Sequence, residues 1–296
     1  MIKFKRPTLE DQDWMREKIA QSDLRGCEYS FGNLFIWRNV SDVKVALVEG
    51  FLCVTGDSKE NEVIYNYPVG SGDDQKVLQL LIEDAKEKGC IPRFRGVLEE
   101  QKERLKELFP NNIEVVTNEA DWDYIYDVEK LTNLPGKHYH GKRNHIARFK
   151  DEDDWGYEVI TEDKIEECKK MNQIWCEEYG CGKSESAKLE QCAVEQSFLH
   201  FKELGFEGGL LRKAGEVVAF TIGEPLNSDT YVVHIEKAFP QVQGSYPMIN
   251  QQFVAHNMQQ FTYVNREEDI GDEGIRKAKM SYKPSIHLKK YVVTIK

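Results

Sequence analysis

The feature that most restricts the fold of this chain is a repeated order of secondary-structure signals. In the first half a short strand pattern near Ile2–Phe4 precedes a helical one from about Leu9 to Gln21, with a second short helix within Ser30–Trp37. Alternating apolar residues predict strands at Val43–Val48 and Phe51–Thr55, joined by Glu49-Gly50, a pair suited to a hairpin turn. A strand near Val63–Tyr67 and a Gly/Ser-rich loop lead into a helix from Asp73. Val77, Leu80, Leu81 and Ala85 form its apolar stripe, and Gly89 stops it. Strands near Ile91–Phe94, Ile113–Val116 and Tyr124–Val128, with a helix near Glu99–Phe109, close the half. The second half follows the same plan. A strand at Tyr157–Ile160 precedes helices Glu162–Tyr179 and Ser186–Leu204, and a hairpin turns at Ala214-Gly215. Strand Tyr231–Ile235 feeds the loop Phe239–Tyr246 and a helix carrying Ile249 and Phe253. Strand Phe261–Val264, short helix Gly274–Tyr282 and strand Tyr291–Ile295 follow. This order is neither a regular βα alternation nor an all-β meander.

Two such halves suit a length of 296 residues, at roughly 100–200 residues per domain; the expected lobes are 1–134 and 135–296. No apolar run approaches the ~18 residues of a membrane span. The N-terminal Met-Ile-Lys-Phe-Lys-Arg-Pro develops no apolar signal core, which predicts a cytoplasmic protein. Seven scattered cysteines predict reduced thiols, and the Cys176–Cys181 spacing matches no common zinc motif. The net charge of −11 argues against indiscriminate nucleic-acid binding. It is uneven, however: residues 130–150 carry six Lys/Arg and no acid, and residues 276–296 carry seven and none. Such segments can dock a phosphate or a short stretch of RNA backbone.

The element order resembles a Gcn5-related N-acetyltransferase (GNAT) unit in tandem. This implies an α/β fold of two acetyltransferase-like lobes, each a mixed, mostly antiparallel sheet flanked by helices. In such units a Q/R-x-x-G-x-G/A loop at a helix N-terminus receives the cofactor pyrophosphate. The matching stretch is Gln241-Val242-Gln243-Gly244-Ser245-Tyr246, so Gln243, Gly244 and Ser245 are the candidate binders of an acyl-CoA. Tyr246 stands where a small residue belongs and Pro247 follows, which predicts that coenzyme A binds poorly. In the first half the equivalent loop ends in Asp73-Asp74, which suit a helix dipole and repel phosphate. His234 and Glu236 lie on the strand that faces the acceptor in acetyltransferase-like units; either is a candidate general base, and His234 equally suits a satisfied core position. Lys142-Arg143-Asn144 is a candidate phosphate-gripping turn. His138, His140 and His145 cluster beside it without a metal-ligand spacing, so no metal is expected.

The densest polar stretch runs from Asn265 to Pro284, acids in a loop and bases in the following helix. Arg276, Lys279 and Lys283 fall at i, i+3 and i+7, on one helical face. Acids followed by bases can hold an ammonium at one end and a phosphate or ester at the other. The stretch resembles the signature N-R-E-x-D-x-G … R-K-A-K-x-S-Y-x-P of a bacterial family related to the C-terminal catalytic domain of phosphatidylglycerol lysyltransferases. It matches through Asn265, Arg266, Glu267, Asp269, Gly271, Arg276, Lys277, Ala278, Lys279, Ser281, Tyr282 and Pro284. Tyr29–Trp37, Asp123–Tyr126 and Gly141–His145 agree as well. The resemblance implies kinship to enzymes that move an aminoacyl group from aminoacyl-tRNA, including Fem-type transferases. A lipid acceptor is not carried over, because this chain lacks the large membrane-embedded region of the lysyltransferases. The expected function is acyl or aminoacyl transfer from an activated ester, aminoacyl-tRNA or acyl-CoA, to an amine or hydroxyl. The other class consistent with the residues is a non-catalytic module that binds a small metabolite. For transfer, Tyr282 is the expected proton donor to the leaving group. Arg276 and Lys279 are expected to hold donor phosphate, and Glu267 and Asp269 an ammonium. Asn265 and Arg266 complete the substrate-binding set.

Overall fold

The computed structural model describes residues 1–58, 60–151, 154–179 and 185–296, with side chains from 188 onward in the last stretch; Cys181 lies outside the described residues. The chain divides into two compact units. One comprises Met1–Tyr124, Glu267–Lys277 and His287–Lys296; the other comprises Ile125–Arg266 and Ala278–Ile286.

In the first unit the expected N-terminal strand is reduced to one bridge, Lys5 to Val45. Helix α1 (Gln12–Ser22) and the short α2 (Phe31–Ile36) follow. Ser30 caps α2, its Oγ accepting the Asn33 N–H at 3.0 Å. Strands β1 (Lys44–Val48) and β2 (Phe51–Thr55) form an antiparallel hairpin. Glu49 and Gly50 at its tip both have positive φ, 49° and 85°, as a tight turn matched to strand twist requires. Strands β3 (Glu62–Asn66) and β4 (Val69–Gly70) both pair with β2. Helix α3 (Asp74–Glu87), capped by Asp73, crosses over to β5 (Ile91–Val97), which pairs parallel with β3. Helix α4 (Glu99–Leu108) and β6 (Ile113–Thr117) complete this stretch. The chain's last strand, Tyr291–Ile295, lies between β5 and β6, antiparallel to both. Its alternate residues Val293 and Ile295 enter the core with Tyr65, Phe94 and the Val77, Leu81 and Ala85 stripe of α3.

The second unit repeats the scheme. Strand β7 (Asp123–Asp127) leads to α5 (Val128–Asn133) and α6 (His140–Lys150). Helix α6 is hard to see in the sequence, because only Ile146 and Phe149 are its buried apolar residues and Gly141 sits in its first turn. The expected Lys142-Arg143-Asn144 turn is therefore a stretch of helix. Strand β8 (Trp155–Val159), helices α7 (Ile165–Tyr179) and α8 (Glu185–Leu199), and strands β9 (Glu207–Lys213), β10 (Glu216–Pro225) and β11 (Thr230–Ala238) follow. Then come α9 (Ser245–Asn257), β12 (Tyr263–Asn265), α10 (Glu273–Met280), β13 (Ile286–Leu288) and β14, the Tyr291–Ile295 strand of the first sheet. The second sheet has the order β13-β7-β12-β11-β10-β9-β8. Strands β8 to β11 pair antiparallel, β12 lies parallel to β11, and β7 is antiparallel to β12. Each sheet thus takes one strand from the other half of the sequence.

Among the described residues no helix is long and apolar enough to cross a membrane. Cys27, Cys53, Cys90, Cys168 and Cys192 are free thiols.

Candidate active site

The second sheet opens at one place. Parallel pairing of β11 with β12 covers only Thr230–Val232 and Tyr263–Asn265, yet β11 continues to Ala238. The parting coincides with a bulge. Against β10, Ile235 faces Ile222 and Val233 faces Gly223, so His234 is the extra residue. Gly223 is obligatory there, since a Cβ would lie 2.2 Å from the Val232 carbonyl oxygen.

Beyond the bulge the polar side chains converge. Arg266, directly after β12, donates from Nη2 to Glu236 Oε1 at 2.8 Å, and Asn250 of α9 donates to Glu236 Oε2 at 3.2 Å. The Arg266 and Glu236 side chains are each 12% exposed. Arg266 Nη1 is buried and, among the described residues, has no hydrogen-bond partner. The guanidinium carbon lies 5.8 Å from the Tyr126 ring centroid and 5.1 Å from that of Tyr282. Lys142 of α6 places Nζ 3.9 Å from the Tyr282 centroid. Tyr282 is buried, edge-on to Tyr126, and its carbonyl accepts the Tyr139 hydroxyl at 2.7 Å. Lys279 Nζ donates to the Arg266 carbonyl at 2.6 Å.

These groups perturb one another. Burial, then the Arg266 charge, lowers the Lys142 ammonium to about 8, with Glu236 opposing. Burial pushes the Tyr282 phenol well above its ordinary value; Arg266 opposes this and Glu236 adds to it. Tyr282 therefore stays protonated at neutral pH.

The other sequence-selected residues are distributed differently. The His234 side chain is 1% exposed, 3.2 Å from Glu224 Oε1 and against the Phe206 ring. Asn265 is fully buried at the end of β12. Arg143 donates to the carbonyls of Leu134 and Gly136, fastening the turn before α6, and Asn144 bonds His140 on the helix surface. Of that trio only Lys142 joins the cluster. In the Gln243-Gly244-Ser245 loop, Gly244 has φ 84°, and a Cβ there would lie 2.1 Å from the His145 carbonyl oxygen of α6. Ser245 Oγ donates to the Phe239 carbonyl at 2.9 Å, and Gln243 is exposed. Burial raises the Tyr246 phenol to about 12, although a hydrogen bond with the Ala238 backbone opposes this.

In the first unit, Arg276 and Asp269 satisfy each other. Arg276 donates from Nε at 2.7 Å and from Nη2 at 3.0 Å to the fully buried Asp269 carboxylate. Asp269 also accepts the Tyr124 hydroxyl at 2.6 Å and the Gly271 N–H at 2.8 Å. Burial raises its pKa, but Arg276, Tyr124 and Gly271 outweigh it and bring the carboxyl down to about 2. Glu267 has φ 58° and accepts from Asn33 at 3.5 Å.

A second polar cluster in this unit joins residues that no sequence motif links. Lys290, 4% exposed, lies 2.6 Å from Asp123, 2.7 Å from Glu28 and 3.4 Å from Cys27 Sγ. Cys27, Asp123 and Glu268 present ligand atoms within 4.8 Å of one another, but the Lys290 ammonium already supplies their cation. Nor did the sequence select Tyr126 and Asn250, although Tyr126 lies inside a stretch matching the family resemblance.

Both sheets, each with an antiparallel hairpin giving way to a parallel pair, define two tandem acetyltransferase-like lobes, the fold class shared with solved tandem GNAT proteins. The chain belongs to the phosphatidylglycerol lysyltransferase C-terminal family, which it matches over residues 19–294. A conserved protein of unknown function from Bacteroides thetaiotaomicron VPI-5482 is 39% identical, with 100% of each chain covered and a TM-score of 0.96. L-PGS from Bacillus licheniformis is 16% identical over 85% of this chain and 83% of its own, with a TM-score of 0.63. FemX is 9% identical over 98% and 97%, with a TM-score of 0.62. At those two identities the likeness is one of fold. An uncharacterized protein of Mycoplasmoides gallisepticum is 25% identical over 197 residues, 62% of this chain, and the match spans 59% of that relative's length.

Proposed function

We propose that this protein transfers an aminoacyl group from an ester donor, aminoacyl-tRNA rather than acyl-CoA, to an amine or hydroxyl acceptor at the Arg266–Glu236–Tyr282 cluster. The observation that carries this reading is Arg266, a guanidinium fixed by Glu236 with Nη1 buried and unpartnered among the described residues. A buried donor left unpaired costs about 1–3 kcal/mol. A substrate carbonyl would relieve that cost, and an oxyanion formed from it would be stabilised further. Tyr282, held protonated, suits protonation of the leaving oxygen. Membership in a family described as a lysyltransferase supports an aminoacyl ester as donor. The packing of Gly244 against α6 and the bulk of Tyr246 argue against a coenzyme A pyrophosphate in that loop.

The test is single-turnover transfer from tRNAs charged with radiolabelled amino acids to phosphatidylglycerol vesicles and to free amines. Arg266→Lys should slow transfer about 10²–10³-fold, as loss of an oxyanion donor does, without changing the near-UV dichroism. A metabolite that raises Tm without any turnover would instead identify a binding module on this fold.

A further inference from the structure

The proposed reaction needs a group to take the proton of the attacking acceptor, and three members of the cluster are unsuited. A guanidinium does not give up its proton at working pH. Tyr282 is held protonated by burial. Glu236 has one oxygen engaged by Arg266 and the other by Asn250.

Lys142 differs. It reaches from α6 onto the face of Tyr282, 3.9 Å from the centroid, and Arg266 faces the same ring at 5.1 Å. Two cations share one ring, and the Glu236 carboxylate that opposes their charge is already paired with Arg266 at 2.8 Å. Tyr126 lies under Arg266, Lys279 holds the Arg266 carbonyl, and Glu236 and Tyr282 also face the pair. Burial and the neighbouring guanidinium both disfavour the ammonium, whose pKa falls to about 8. A usable fraction of Nζ then carries a lone pair at neutral pH.

We propose that Lys142 is the catalytic base of this site, its neutral Nζ taking the proton of the acceptor hydroxyl or amine as that group attacks the ester carbonyl. The proposal rests on the acyl-transfer reading above. The new C–O or C–N bond forms as the acceptor's proton moves to Nζ, leaving a tetrahedral oxyanion against Arg266 Nη1. The donor ester C–O bond then breaks, and its leaving oxygen takes the Tyr282 proton. The Lys142 ammonium returns its proton to the phenolate and resets the site.

Two measurements on the full chain test this. The first is the pH dependence of lysine dinitrophenylation by 1-fluoro-2,4-dinitrobenzene, read peptide by peptide by mass spectrometry. Lys142 should show a midpoint at about 8, against roughly 10.4 for an ordinary exposed lysine. The second is the single-turnover transfer assay with Lys142→Arg, which keeps a cation but cannot release its proton. Its kcat should fall by about 10²-fold or more with donor KM preserved, and the wild-type rate should rise with pH through the same midpoint. Lys150→Ala, on the exposed face of α6, should behave as wild type. A Lys142 midpoint near 10.4, or a Lys142→Arg variant as fast as wild type, overturns the base role and leaves acyl transfer standing. If wild type transfers from none of the charged tRNAs, the acyl-transfer reading falls, and the base role with it.

Discussion

Single residues in the Asn265–Pro284 stretch do different work from what their spacing suggests. Arg276 and Lys279 share a helical face, yet Arg276 neutralises a buried carboxylate and Lys279 holds a backbone carbonyl. Replacing Arg276 by Ala leaves Asp269 buried and charged, so stability as well as function should suffer. The neighbouring Glu268 bears the sharper prediction. Burial raises its carboxyl to about 7; Lys290 opposes this, while Asp123, Glu267 and Glu28 add to it. A carboxyl raised in the folded state stabilises in its protonated form. That contribution is complete below the unfolded value of roughly 4.3 and is lost as pH rises through about 7. Asp269 runs the other way, its contribution present at neutral pH and lost as pH falls towards 2. The urea midpoint should therefore decline between pH 5 and 8, and Glu268→Gln should flatten that decline. An unchanged slope in the variant would assign the pH dependence to other groups.

At the scale of elements, the loop entering α9 is shaped by packing. A pyrophosphate loop needs backbone N–H groups open to an anion at a helix N-terminus. Here Gly244 is a glycine because α6 presses on it, with the His145 carbonyl oxygen 2.1 Å from where a Cβ would stand. Its glycine answers a packing demand, although it sits where a phosphate-binding glycine would. Titration calorimetry with acetyl-CoA should accordingly show no low-micromolar binding. Such affinity, if found, would mean that α6 can leave the loop, and would favour a coenzyme A donor. The bulge at His234 is the companion device, since β11 parts from β12 where the extra residue enters and Glu236 meets Arg266 just beyond.

At the scale of the whole molecule, the first unit is completed by the chain's last strand. Tyr291–Ile295 is hydrogen-bonded on both edges, to β5 and to β6, and buries Val293 and Ile295. Ending the chain at Lys290 should leave β6 without a partner and expose one edge of β5. Hydrogen exchange followed by mass spectrometry should then show lost protection across Ile91–Val97 and Ile113–Thr117. Retained protection in both strands would mean that the sheet closes without its seventh member.

What neighbouring residues decide was legible in the amino-acid order. The strand and helix order, the Glu49-Gly50 and Ala214-Gly215 turns with their positive φ, and the α3 stripe all depend on neighbours a few residues apart. The motif from Asn265 to Pro284 was equally legible, because one short stretch carries it, and it contains Arg266, Lys279 and Tyr282 of the cluster. Helix α6 was not, because its apolar periodicity is down to two buried residues. Which polar groups meet depends on contacts between distant parts of the chain. Glu236 reaches Arg266 across 30 residues, and Lys142 reaches Tyr282 from α6 across many more. The exchange of β7 and β14 between the sheets belongs to the same class, because strand patterning records which face is buried and not which edge is paired. Side-chain identity sets what a residue can do, whereas burial and long-range pairing set whether its charge is cancelled, as for Arg276, or left poised, as for Lys142.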